Sequence, residues 1–127
     1  MADVAAHGGG QCVSLKSCAA RQGVSVKYLE QIAPHLLRAG LLTSVRGVRG
    51  GYTLASPPEH VTAGDILRAI PQAATLYAAP AAGGGVQAFS AALLAAAYAY
   101  ADSVTLRDLV SAPADDKRRA QVAYLLD

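Results

Sequence analysis

The chain lacks a strong charge of one sign. Eleven Lys/Arg against nine Asp/Glu leave a formal net charge of +2, too little to argue for nucleic acid from overall charge. Cysteine is scarce as well, with Cys12 and Cys18 alone. Without a signal-peptide pattern at the start, two thiols give no disulfide framework and point to a cytoplasmic protein. No hydrophobic run is long enough to suggest a membrane span. The most apolar stretch, Val86 to Ala101, carries no charge, but it falls short of the ~18 residues a spanning helix needs and contains Gln87 and Ser90. His7, His35 and His60 sit in separate segments without ligand spacing, so no metal site and no cofactor are expected. Neither Gly8-Gly9-Gly10 nor Gly83-Gly84-Gly85 leads into Lys-Ser/Thr, which excludes a phosphate loop of that kind. Nothing pairs a Ser or Cys with a His in a triad pattern, and no enzyme is expected.

What is present is apolar bulk and an uneven charge map. Apolar residues make up 53% of the chain, much of it alanine, which fills volume poorly and hints at apolar surface buried between subunits. From Cys12 to Leu54 there are six basic residues (Lys16, Arg21, Lys27, Arg38, Arg46, Arg49) and one acid, Glu30, whereas residues 71–127 carry four basic and five acidic ones. A basic N-terminal half and a near-neutral C-terminal half suit a DNA-contacting part joined to an assembly part.

The local patterns predict a mostly α chain with a small β-hairpin. Ala2 to His7 reads as a short helical fragment. Ser14 is placed to cap a helix over Leu15 to Gln22, with Leu15, Cys18 and Ala19 facing inward. Gly23-Val24 makes the corner, and Ser25 can cap a second helix, Val26 to Ala39, stopped by Gly40. Leu29, Ile32 and Leu36 form its apolar face, leaving Lys27, Glu30, Gln31 and Arg38 for solvent or DNA. Pro34 within it predicts a kink or break. Leu42 to Val45 and Tyr52 to Leu54 then flank a loop with two arginines and three glycines, a hairpin able to carry Arg46 and Arg49 clear of the body. A hairpin directly after a helix-turn-helix pattern is the layout of a winged helix. Thr62-Ala-Gly-Asp65 starts a helix to about Ile70, and Thr105-Leu-Arg-Asp108 repeats that capping pattern. Gln72 to Gly85 reads as irregular, and the tail carries the charged run Asp115 to Arg119.

Val86 to Ala101 is apolar nearly all round, more than one small winged domain can cover. Phe89, Leu93, Ala97 and Tyr100 form one stripe, Leu94 and Tyr98 the neighbouring face, and with Val86 they are the expected dimerisation surface. Cys18 lies on an apolar helix face and reads as a small buried hydrophobe, while Cys12, in a loop, is a free thiol open to oxidation. Glu30 and Gln31 read either as an idle surface pair or as base readers, a carboxylate accepting from cytosine and a glutamine pairing with adenine. Tyr28 reads equally as a half-buried packing residue.

The segments SLKSCAARQGVSVKYLEQ and LLRAGLLTSVRGVRGGYTLASPPEHVTAGDILRAI resemble the Rrf-two family of bacterial winged-helix transcription regulators (the IscR/NsrR/RirA/CymR type), across about Ala2 to Ile70. Tyr28-Leu-Glu-Gln31, Ser44-Val-Arg-Gly47 and Gly50-Gly51-Tyr52 carry the likeness. The resemblance implies a homodimer whose long C-terminal helices cross and whose second helices enter successive major grooves. It places Ser25, Lys27, Tyr28, Glu30 and Gln31 at base-reading positions. Arg46 takes the wing position that reaches the minor groove, and Arg49 with Gly50 and Gly51 brings the loop close to the DNA backbone. Family members that sense iron, nitric oxide or redox state hold an iron–sulfur cluster on three cysteines ahead of the dimer helix. Here Pro71 to Val104 contains none, so the chain resembles the cluster-free branch, whose members answer to a partner protein or other signals. The family's first helix is usually longer and basic, which makes this one look truncated, with the native start expected upstream of Met1.

The expected organisation is a winged helix-turn-helix DNA-binding domain over residues 1–70, an irregular linker over 71–85, and a dimerisation helix with tail over 86–127. The expected function is a sequence-specific, dimeric DNA-binding transcriptional regulator, acting as a repressor. Its expected partners are double-stranded DNA, a second copy and a possible signalling protein, with no membrane. The alternative is a protein–protein module that titrates a partner and binds DNA weakly.

Overall fold

The computed structural model describes residues 1–71 and 84–111. In chain order these form α1 (Ala2–His7), α2 (Leu15–Gln22), α3 (Val26–Arg38), β1 (Leu42–Val45), β2 (Gly51–Leu54), a 3-10 turn (Pro58–His60), α4 (Ala63–Ala69), α5 (Gly85–Asp102) and α6 (Leu106–Ser111). This is the mostly helical winged architecture expected. The stretch read as irregular, apart from its ends, and the charged run Asp115 to Arg119 lie outside the described residues.

Local chemistry sets the helix starts. The Ser14 and Ser25 hydroxyls accept from the backbone N–H of Ser17 and Tyr28, each at 3.1 Å, satisfying donors that a helix N-terminus leaves orphaned. Between the two helices Gly23 stands at φ 65°, in the left-handed region that a side chain disfavours. The expected break at Pro34 does not occur: α3 runs through it to Arg38. Pro34 and Glu30 both lie on the exposed side of the helix, and the turns on either side hold it together although one backbone donor is missing.

β1 and β2 pair antiparallel, with Leu42 opposite Leu54 and Val45 opposite Gly51. Val13, just ahead of α2, extends this pairing: it exchanges two 2.9 Å backbone hydrogen bonds with Tyr52. A Cβ at Gly51 would stand 2.6 Å from the Val13 carbonyl, so only glycine lets the wing lie this close to the helix-turn-helix. The core gathers beneath: Val4, Val13, Cys18, Leu36 and Leu42, with Leu29, Ile32, Leu54, Ile66 and Ile70 packed around them.

α1 is held by charge as well as packing. The buried Asp3 carboxylate accepts from Arg21 at 2.9 and 2.7 Å and from Gln22 at 3.1 Å. The Arg21 guanidinium keeps the Asp3 carboxyl well below the usual carboxylate range.

Candidate nucleic-acid interface

The start of α3 and the wing each present polar side chains to solvent. At the first turns of α3, Ser25, Lys27, Tyr28, Glu30 and Gln31 are all exposed, Tyr28 by 53%. Among the described residues, none of Lys27, Glu30, Gln31, Arg46 or Arg49 has its side chain in a hydrogen bond or ion pair. Long polar side chains displayed without partners keep their donors and acceptors for a ligand. The Ser25 hydroxyl is engaged as acceptor for the Tyr28 N–H, with its own proton left to donate.

Arg38 is set apart from this group. It lies on the last turn of α3, where its Nε donates to the Pro34 carbonyl at 3.3 Å and its Nη2 is 3.1 Å from His35 Nδ1. At ~1.5 Å per residue it sits roughly 16 Å along the axis from Lys27. Its charge complements the negative end of the helix, and the structure does not bring it beside Ser25, Lys27, Tyr28, Glu30 and Gln31 at the first turns.

In the wing, Arg46, Val48 and Arg49 are exposed, and Val48 stands fully free. Only Leu42 of β1 is buried and Gly51–Leu54 of β2 are half-buried, so it is the outer part of β1 and the loop after it that are exposed. Cys12, Ser14, Ser17 and Arg21 face Arg49 and Gly50 across an open cleft of about 390 Å³, which Gln11 also lines. Sequence reasoning singled out neither Gln11 nor Ser17 for this surface. The Val13–Tyr52 bridge that brings their loop beside the wing has no local signature.

α5 exposes much of the expected dimer face: Val86 by 65%, Phe89 by 67%, Leu93 by 46% and Tyr100 by 62%. Leu94 and Ala97 are partly covered. No described helix is long and apolar enough to cross a membrane.

The sequence matches the Rrf2 family, described as "Iron-dependent Transcriptional regulator", over residues 1–112. The protein named rrf2 of Nitratidesulfovibrio vulgaris is 48% identical over 68 residues, 54% of this chain and 45% of that protein. The HTH-type transcriptional regulator CymR of Bacillus subtilis is 50% identical over 64 residues, 50% of this chain and 46% of the relative. The solved structure of that CymR, titled the global cysteine regulator of B. subtilis, superposes with a TM-score of 0.70 at 35% identity, covering 87% of this chain and 86% of CymR. The IscR of T. potens gives a TM-score of 0.70 at 38% identity, covering 86% of this chain and 76% of that one. By sequence, the chain spans about half the length of the curated relatives it matches.

The thiols present do not fit an iron–sulfur cluster. Cysteine ligands bind as thiolates, and this chain has two cysteines. Cys18 is buried in the core, where burial first and then the Asp3 charge push its thiol pKa up. Cys12 lines the cleft beside the wing. Among the described residues no group of three or more His, Cys, Asp or Glu could hold a metal ion.

Proposed function

This chain belongs to the Rrf2 family of transcriptional regulators, and on that footing we propose that it binds duplex DNA sequence-specifically as a homodimer and represses transcription. What supports this is the set of exposed polar side chains at the start of α3 and in the wing, unpartnered among the described residues, with the wing tied to the loop ahead of α2 by the Val13–Tyr52 bridge. α3 enters the major groove, with Glu30 and Gln31 turned to base edges and Lys27 and Tyr28 at the groove wall. Arg46 enters the adjacent minor groove, where a narrow A·T-rich tract concentrates negative potential. Arg49 lies along the backbone, and Gly50 and Gly51 let the loop approach it. Contacts to phosphate set the register and contacts to bases set the sequence.

The second copy covers Val86, Phe89, Leu93, Leu94, Ala97 and Tyr100, placing two reading units on one face of the duplex. Residues 1–70 then form the DNA-binding unit, 71–85 the connection, and 86–127 the assembly part. The signal that controls binding reaches the protein without a cluster on its own cysteines, through a partner protein or a small effector. The protein works in the cytoplasm and catalyses no reaction.

Fluorescence anisotropy tests the reading directly, using a duplex from the gene's own upstream region against a scrambled one at two salt concentrations. Specific binding that weakens steeply with salt is the expected outcome, because neutralised phosphates release counterions. Arg46→Ala lowers affinity and blunts the preference for A·T-rich flanks. Equal binding to both duplexes refutes the regulator reading and favours a module that titrates a partner protein.

A further inference from the structure

The turns that begin α4 and α6 share one pattern, Val-Thr-x-x-Asp: Val61-Thr-Ala-Gly-Asp65 and Val104-Thr-Leu-Arg-Asp108. Each is a closed unit. Thr62 and Thr105 cap their helices at 3.0 and 3.1 Å, and Asp65 and Asp108 return hydrogen bonds to the threonine N–H groups at 3.0 and 2.9 Å. The two units lie antiparallel against each other. The Ala63 N–H donates to the Val104 carbonyl at 2.8 Å and the Leu106 N–H to the Val61 carbonyl at 2.7 Å. Val61 and Leu106, exposed by 2% and 0%, are the most deeply buried large side chains among the described residues. The deepest burial of large side chains among the described residues therefore lies at the seam where the winged unit meets the segment that follows the long helix.

Two ion pairs flank the seam. Arg68 of α4 forms a bidentate pair with Asp102, the last residue of α5, at 2.6 and 2.7 Å, and its guanidinium lies 4.8 Å over the Tyr98 ring. Arg107 donates twice to Glu59, at 3.2 and 2.9 Å. Exposed pairs add little stability, but a two-pronged Arg–carboxylate pair fixes orientation. Gly64 makes room for it, since a Cβ there would run into the Asp102 carboxylate.

We propose that this seam is a rigid joint, in which Gly64, Arg68 and Asp102 set the angle of α5 against the winged unit and thereby the half-site spacing that the dimer accepts. The inference rests on the dimeric DNA-binding reading above. The required stiffness follows from geometry. An 18-residue helix such as α5 runs ~27 Å, so about 10° of play at one end moves the other by roughly 5 Å, more than the ~3.4 Å base-pair step. Dimers of this kind read half-sites ~34–36 Å apart, and a slack joint would accept neighbouring spacings as well.

The test uses the full chain and a duplex selected by it from a randomised pool. Affinities are measured for that duplex, for versions with one and two base pairs inserted between the half-sites, and for a single half-site. The variants are Asp102→Asn, Gly64→Ala and the charge-reversed double Arg68→Asp/Asp102→Arg. Each single variant keeps half-site affinity within about twofold, while its preference for the native spacing falls at least about fivefold and the double variant recovers part of it. Unchanged spacing preference in both single variants overturns the joint. Should the selection yield no preferred sequence, the DNA reading fails, and an intrachain measurement decides the joint by itself. Nitroxides at Val48→Cys and Gln87→Cys, in a Cys12→Ser background diluted with unlabelled protein, give a narrow distance distribution that broadens with Asp102→Asn. Equal widths would overturn the proposal.

Discussion

The winged unit and the long helix expose opposite chemistry. In α1 through α4, the apolar residues Val4, Val13, Leu36 and Leu42 turn inward, and the reading end of α3 shows Lys27, Glu30 and Gln31 to solvent. α5 does the reverse, showing Val86, Phe89, Leu93 and Tyr100 and carrying no charge before Asp102. The cations divide by use and not by region. Arg21, Arg68 and Arg107 are spent on ion pairs that tie elements together, while Lys27, Arg46 and Arg49 have no such partner among the described residues. A surface of unpaired polar groups suits a charged, hydrated ligand. An unpaired apolar face suits another protein surface. The contrast is what the proposed division between DNA binding and assembly rests on.

The sharpest way to break this contrast is to give α5 the polarity of the winged unit. Phe89→Asp with Leu93→Asp leaves the winged core untouched and introduces like charges into the proposed interface. The expected result is a monomer by sedimentation at micromolar concentration. Affinity for a two-half-site duplex falls by about 10²–10⁴, the loss expected when two linked binding events become separate. Half-site affinity stays near that of the parent. A variant that still sediments as a dimer would place the partner face elsewhere.

Next in size is Leu106→Ala at the seam. Removing a fully enclosed leucine costs about 3 kcal/mol, read as a lower urea midpoint with an unchanged slope. The loss should exceed that for Leu109→Ala on the same helix, since Leu109 is 47% exposed. Equal losses would show that the seam does not carry the packing assigned to it.

Much of this division was legible in the sequence, because its determinants are local. Ser14, Ser25, Thr62 and Thr105 each announce a helix start within four residues, and all four caps form. The wing is announced by its glycines and arginines, and the assembly helix by uniform apolarity. The break expected at Pro34 did not follow, because a proline removes one backbone donor while the neighbouring turns still hold the helix. What the sequence could not show are the long-range ties. Asp3 meets Arg21 across 18 positions, Arg68 meets Asp102 across 34, and Glu59 meets Arg107 across 48. No periodicity marks such pairs. In the candidate site, the displayed face of α3 followed from helical spacing, whereas the reading roles of Glu30 and Gln31 entered through the family resemblance. Arg38 was assigned to the same face; its place at the far end of α3 was implicit in the helix bounds, and the structure adds its contacts with Pro34 and His35.

Lys27 and Arg46 allow a finer cut within the reading surface. Lys27→Ala removes one phosphate contact, so binding weakens several-fold across all sequences and the slope of log affinity against log salt falls by about 1. Arg46→Ala instead costs about 1–3 kcal/mol and falls mainly on sites with A·T flanks. Identical profiles for the two variants would merge roles kept apart here.

The smallest expected effect concerns how α1 is tied to the reading unit, and its sign is fixed by linkage. In the folded chain Arg21, then Gln22, hold the Asp3 carboxyl below its ordinary value, so the unfolded chain binds the proton more readily. Asp3 therefore contributes stability that is fully present above the unfolded carboxylate pKa of ~3.9 and is lost as pH falls through the lower folded value. Asp3→Asn keeps the shape and one acceptor but gives up the charge. The expected loss is about 1–2 kcal/mol at neutral pH, moderated because Arg21 is 35% exposed and is solvated when left alone. Stability curves of parent and variant, taken by urea unfolding from pH 7 to about pH 2, should converge as the medium becomes acidic. Curves that run parallel to the lowest pH would show that the Asp3–Arg21 pair does not anchor α1. The N-terminal helix would then hold to the winged unit by its apolar face alone.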